Sequence, residues 1–177
     1  MNIRKASRVR TVMGMAIILT LIAATGVGRQ PDVWGTLFAL HLGVLEGSSK
    51  ARALAVVSKA YVAGTLASQG AVRHVPSDRD FSPTSAWERT AGVALDTYQN
   101  GAYWHVPTGW LAKALAQVDP KLARGAVDAM VAHFRAEDWR THGRVGAPWE
   151  CLGKGSYRQN AVYMASVTVP LQVLSAR

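Results

Sequence analysis

The sequence predicts an all-α fold, a partial α/α toroid of about five helices alternating inner and outer, behind an N-terminal hydrophobic segment. Three observations lead there. After Arg29, apolar residues recur at helical spacing, and no strand-like alternation of any length competes with them. The helical windows also alternate in character. Those opening near Asp32, Thr108 and Asn160 are almost free of charge, which suits burial on all sides, whereas those opening near Ser49 and Asp119 carry charge on one side, which suits an outer surface. Finally, the long aromatic, Gly- and Pro-rich connections all precede the charge-free helices, which gathers them at one end of a ring.

Taken in order, the chain opens with Arg4, Lys5, Arg8 and Arg10, then an apolar stretch over residues 13–27 that ends in small residues, Ala23-Ala24-Thr25-Gly26. A basic, apolar, small-residue succession is the pattern of an export signal. Crossing a bilayer takes roughly 20 apolar residues, and this stretch is shorter. Residues 1–29 therefore read as a signal peptide or an N-terminal anchor attached to the membrane through residues 12–28, with the product secreted or held in the cell envelope. If that segment is instead a spurious start on a truncated gene, the protein is cytoplasmic.

Residues 30–177 form the second unit. Asp32 is placed to cap a first helix carrying Val33, Leu37, Leu40, Val44 and Leu45. Ser49 is placed to cap a second, with Leu54, Val57, Tyr61 and Leu66 opposite Arg52 and Lys59. Residues 70–104 are irregular and hold Pro76 and Pro83; a connection that long in a compact domain is commonly functional. Thr108 is read as the cap of a third helix. Asp119-Pro120 opens a fourth, with proline at its favoured first position. A second long connection over 138–159 carries Gly143, Gly146, Pro148, Gly153 and Gly155, and Asn160 is read as the cap of a last helix, kinked at Pro170.

Composition narrows the function. With 49% hydrophobic and 18% charged residues, a packed domain is expected rather than disorder. The net charge of +9 does not mark a nucleic-acid partner, because Arg4, Lys5, Arg8, Arg10, Arg29 and Lys50 cluster toward the N-terminus and the rest scatter without a motif. A lone Cys151 excludes an internal disulfide, and it has no obvious histidine partner as a nucleophile. The histidines, His41, His74, His105, His133 and His142, are spread out with no metal-ligand spacing. No phosphate loop or dinucleotide fingerprint appears, so no metal or cofactor is expected.

The richest stretch is Tyr98-Gln99-Asn100-Gly101-Ala102-Tyr103-Trp104, followed by Pro107-Thr108-Gly109-Trp110; later, Trp149-Glu150 sets a carboxylate directly after an indole. Flat apolar rings beside amides and carboxylates suit a polyhydroxylated ring, whose faces are rich in C–H and whose edge is hydroxyls. A carbohydrate substrate is the expectation.

With Asp32-Val33-Trp34-Gly35-Thr36 and Trp87-Glu88-Arg89, these motifs make residues 31–174 resemble the C-terminal part of a six-hairpin glycosidase. That is the (α/α)6 toroid of trehalases, glycogen-debranching-type enzymes and many bacterial glycoside hydrolases. Pro107-Thr108-Gly109-Trp110 is similar to the Pro-Asn-Gly-Trp that opens an inner helix in trehalases. The resemblance implies hydrolysis of an O-glycosidic bond by paired carboxylates, with Glu150 as the base, since a carboxylate before the last inner helix often has that role. Glu88 is the candidate second carboxyl. Asp32, Trp34, Gln99, Asn100, Tyr103, Trp104 and Trp149 are the candidate substrate-binding residues. Plainer roles stand beside these: Glu150 paired with Arg144 or Arg158, Glu88 with Arg89, Asp32 as a cap, Trp34 and Trp110 as core. A complete toroid has six inner and six outer helices. The shortfall here implies a fragment, a second chain completing the toroid, or a non-catalytic sugar-binding remnant. Outside carbohydrate, the alternative is a small membrane-anchored helical interaction protein.

Overall fold

A computed structural model of the chain describes residues 31–75, 94, 96–138, 140, 146–153 and 155–176. The readings made on residues 1–29, on Glu88 and on Arg144 lie outside the described residues. Helices α1 (Val33–His41) and α2 (Gly47–Val62) come first, followed by strands β1 (Ala67–Ser68), β2 (Ala71–Arg73) and β3 (Tyr103–Trp104). Helices α3 (Thr108–Ala116) and α4 (Pro120–Ala136), strands β4 (Trp149–Leu152) and β5 (Arg158–Ala161), and helix α5 (Ala165–Ser175) complete the order.

The all-α expectation is therefore corrected. The described fold is mixed, because a five-stranded antiparallel sheet, β1-β2-β3-β4-β5 in sequence order, joins the two long connections that were expected to be irregular. Its register pairs Val72 with Trp104, Tyr103 with Leu152 and Cys151 with Gln159. Strands of two to four residues are too short to show a period of two, so the alternation that announces a strand never develops in the sequence. A chain whose helices are tied together by this sheet is not a piece of an all-helical ring.

Local chemistry accounts for the helix ends. The Asp32 carboxylate accepts from the Gly35 amide at 2.7 Å, and the Asp119 carboxylate from the Lys121 amide at 2.8 Å, so each caps a first turn whose amides lack helical partners. The other three expected caps are corrected. The second helix begins at Gly47, with no side-chain bond from Glu46. Pro107 stands at the cap position of α3, and the Thr108 hydroxyl instead donates to the Gly70 carbonyl at 2.8 Å. Asn160 lies in β5, and α5 starts at Ala165.

Helix α3 is the centre of the packing, in contact with each of the other helices. Val33, Leu37 and Leu40 of α1, Val57 of α2, Leu111 and Leu115 of α3 and Ala126 of α4 form the main core with Leu66 and Val72. Each large side chain buried there contributes about 1.5–3 kcal/mol. The charge-free helices are not enclosed on all sides, since Phe38 of α1, Leu42 just after it and Leu171 of α5 are exposed. Among the described residues, no helix is long and apolar enough to cross a membrane.

Two glycines set close approaches. Gly109 lets α3 meet α5, where a Cβ would lie 2.9 Å from Val173 Cβ and 3.0 Å from Pro170 Cα. Gly70 combines a φ of +77° with the backbone of α4, where a Cβ would lie 2.6 Å from Met130 Cα. Left-handed strain and overpacking against main chain add, so Gly70→Ala is expected to destabilise the fold by about 3 kcal/mol. Urea unfolding checks this: an unchanged midpoint would contradict the packing described.

Candidate functional site

The first turn of α1, residues 98–104 and the β4–β5 hairpin meet in one aromatic and polar cluster. The Trp34 ring stands edge-on to His74, centroids 4.6 Å apart, and to Trp104 at 5.3 Å. Tyr98 closes on the other side of Trp104 at 5.3 Å. Such ring pairs contribute beyond their buried area because edge and face carry opposite partial charge. Cys151 and Tyr157 pack into the same group.

Glu150 lies on β4, 8% exposed, beside this cluster. Trp149 pairs with Ala161 and Cys151 with Gln159, so Asn160 stands directly across the ladder from Glu150. The Asn160 side-chain amide donates to Glu150 Oε2, and the carboxylate lies close enough to the Tyr98 phenol that its charge helps push that hydroxyl up, after burial. Tyr98 is itself held, because its amide donates to the Tyr157 hydroxyl at 3.2 Å while that hydroxyl donates to Gln159 Oε1. Burial, and then the charge of Glu150, push the Cys151 thiol up to about 12. It stays protonated near neutral pH and is no nucleophile.

The structure gathers Trp34 and Trp104 in this cluster, sets Glu150 beside its member Cys151, and gives the other sequence candidates partners of their own. Asp32 is engaged as the cap of α1. Gln99 offers its carbonyl to His74 Nδ1 at 3.2 Å, and the Asn100 amide closes a turn on the Thr97 carbonyl at 2.8 Å. Tyr103 faces away from its neighbour Trp104, as alternate strand residues do, and packs with Ala71 and Leu152 below the Arg73 guanidinium. Trp149 donates its indole N–H to Glu137 Oε2 at 2.6 Å. Trp110 is half-buried and packs on Phe38 at 4.9 Å.

Tyr98, Tyr157 and Asn160 are the members that sequence reasoning passed over. The signal for Asn160 was a hairpin: two short segments placed symmetrically about Gly155 set residue 150 opposite residue 160. Tyr98 heads the aromatic stretch singled out in the sequence without being assigned a role, and nothing comparable pointed to Tyr157.

A second polar group ties α4 to the sheet. His105 is fully buried, with Nε2 3.1 Å from the Gln69 carbonyl, and its ring stacks on His133 at 5.1 Å and 15°. Burial is the main reason the His105 imidazole falls to about 3, and burial likewise lowers His133. Both are neutral at pH 7. Burial pushes the Glu137 carboxyl up, but hydrogen bonds from Arg158 and Trp149, with the nearby His133, outweigh it and hold the group at about 2. Arg158 reaches Glu137 at 2.9 Å, so this cation is committed away from Glu150.

Among the described residues, no group of three metal-ligating side chains converges. A groove of 330 Å³ runs past Ala112, Arg124 and Leu174, and another of 380 Å³ past Phe134, Pro148 and Met164; neither is lined by Glu150 or the rings beside it. No family model, curated protein or solved structure matches this chain.

Proposed function

We propose that this chain is a carbohydrate-active protein of the glycoside-hydrolase type, working on a mixed helix-and-sheet fold rather than on the helical toroid its motifs suggested. Glu150 is its acting base, and residues 1–29 serve as its export signal or anchor. The observation that carries the reading is the company Glu150 keeps. It is a buried carboxylate held by a neutral donor, Asn160, with the neutral Tyr98 phenol nearby, and among the described residues no Lys or Arg pairs with it. A carboxylate with a purely structural role is normally matched with a cation when buried. An ionised carboxylate has about four lone-pair positions, so this donor leaves room for a water or a hydroxyl.

The aromatic surroundings fit the same substrate. Trp104 is 6% exposed, and its indole N–H has no acceptor among the described residues; neither has that of Trp34. Two such donors in one aromatic cluster suit a ligand edged with hydroxyl oxygens. In the chemistry proposed, a water attacks the anomeric carbon while Glu150 takes its proton. The bond to the leaving oxygen breaks as Glu88 delivers a proton to it.

Incubating the whole chain with a panel of oligosaccharides and assaying new reducing ends tests this. Release from at least one linkage is the expected result. Saccharide binding without release would reduce the protein to a sugar-binding remnant, and neither binding nor release would end the carbohydrate reading.

A further inference from the structure

We infer that Tyr98 and Asn160 are a pair of positioning residues, built at a cost in backbone conformation to aim the Glu150 carboxylate; the inference rests on the reading of Glu150 given above. Two independent observations meet here. The first is the setting of the carboxylate: the Asn160 amide donates to Oε2 of Glu150 from the facing strand, and Tyr98, in the loop before β3, stands near the same carboxylate with its ring packed on Trp104.

The second concerns the main chain. Among the described residues only Gln69, Asp96, Tyr98, Asn160 and Val162 adopt positive φ without being glycine, and two of these are the residues that stand about Glu150. Tyr98 has φ 38° and Asn160 φ 45°. A tyrosine gains nothing locally from the left-handed region, and asparagine there is tolerated rather than preferred within a strand. Such conformations persist only where the surroundings over-determine them, and they gather at functional sites.

The surroundings of Tyr98 do so. Its amide donates to the Tyr157 hydroxyl, the Ala102 amide donates to its carbonyl at 3.2 Å, and Trp104 packs on its ring. Asn160 is fixed by the ladder pairs on either side of it. Glycine at either position would relieve the backbone and lose the donor, so the strained side chains are retained for what they hold. Glu150 is buried while Asn160 is exposed, so the solvent side of the carboxylate is the Asn160 side. The clamp therefore fixes which lone pairs face an incoming water or hydroxyl.

The test compares Tyr98→Phe, Asn160→Gly, Asn160→Asp and Glu150→Gln in the whole chain, on an oligosaccharide that the protein hydrolyses. Tyr98→Phe and Asn160→Gly are expected to lower kcat about 10- to 100-fold while leaving KM within about threefold, the mark of misaimed chemistry rather than lost binding. Asn160→Gly is expected to keep or raise the thermal midpoint, because glycine takes this φ freely. Asn160→Asp sets carboxylate against carboxylate, so its deeper loss is expected to recover in part on acidification, when one of the two carries a proton to donate. A merely structural pair would give none of that pH dependence. Wild-type kcat in Tyr98→Phe and Asn160→Gly, alongside a dead Glu150→Gln, would overturn the clamp and leave the reading of Glu150 standing. Full activity in Glu150→Gln, or no sugar hydrolysed by any form, would overturn both.

Discussion

Glu150→Gln is expected to lower sugar release roughly a thousandfold with little change in stability. That is about 4 kcal/mol of transition-state stabilisation removed by an isosteric change. The glutamine oxygen can still accept from Asn160, so the β4–β5 pairing and the aromatic packing remain satisfied. What is lost is the group that receives a proton from the attacking water. A structural Glu150 would give the opposite pattern, with a lowered thermal midpoint and no specific loss of turnover. A reducing-end assay beside thermal unfolding of the same preparation separates the two.

Acid is expected to unfold the protein in two stages. His105 is held at about 3, far below the ordinary 6.5, so the unfolded chain takes up a proton that the folded chain refuses. Its contribution is complete above pH 6.5 and is lost as pH falls from there toward 3. Two units below the unfolded value correspond to roughly 3 kcal/mol from His105 alone at pH 4.5. His133 is lowered in the same direction and acts with the same sign. Glu137, held at about 2 against an ordinary 4.5, contributes above 4.5 and loses that contribution between 4.5 and 2. Urea unfolding across this range is expected to show stability falling first through the histidine window and then more steeply. His105→Gln, which keeps a donor for the Gln69 carbonyl, is expected to flatten the upper limb. An unaltered slope between pH 6.5 and 4.5 would show that the buried imidazole does not control it.

What could be read from the sequence follows the range of the interactions. Asp32 and Asp119 announce α1 and α4 because a cap and its turn are neighbours in the chain. The sheet could not be read, since β1 and β3 have two residues each and β2 three, and β2 meets β3 only through pairings between residues far apart in the chain, such as Val72 with Trp104. The candidate site divides in the same way. Trp34, Trp104 and Glu150 stood out by residue type. Their partners are set by hairpin register and by a choice among cations that spacing does not reveal. Arg158, near Glu150 in sequence, crosses instead to Glu137 on the end of α4. Trp149, adjacent to Glu150, also reaches Glu137, through its indole N–H.

A saccharide is expected to seat against the Trp34 and Trp104 cluster. Tryptophan emission of the whole chain, titrated with mono- and oligosaccharides, reads it most directly, because these two indoles lie in the cluster itself. Saturable quenching by at least one saccharide, abolished in Trp104→Phe, is the predicted result. A folded protein whose emission no saccharide alters would contradict it.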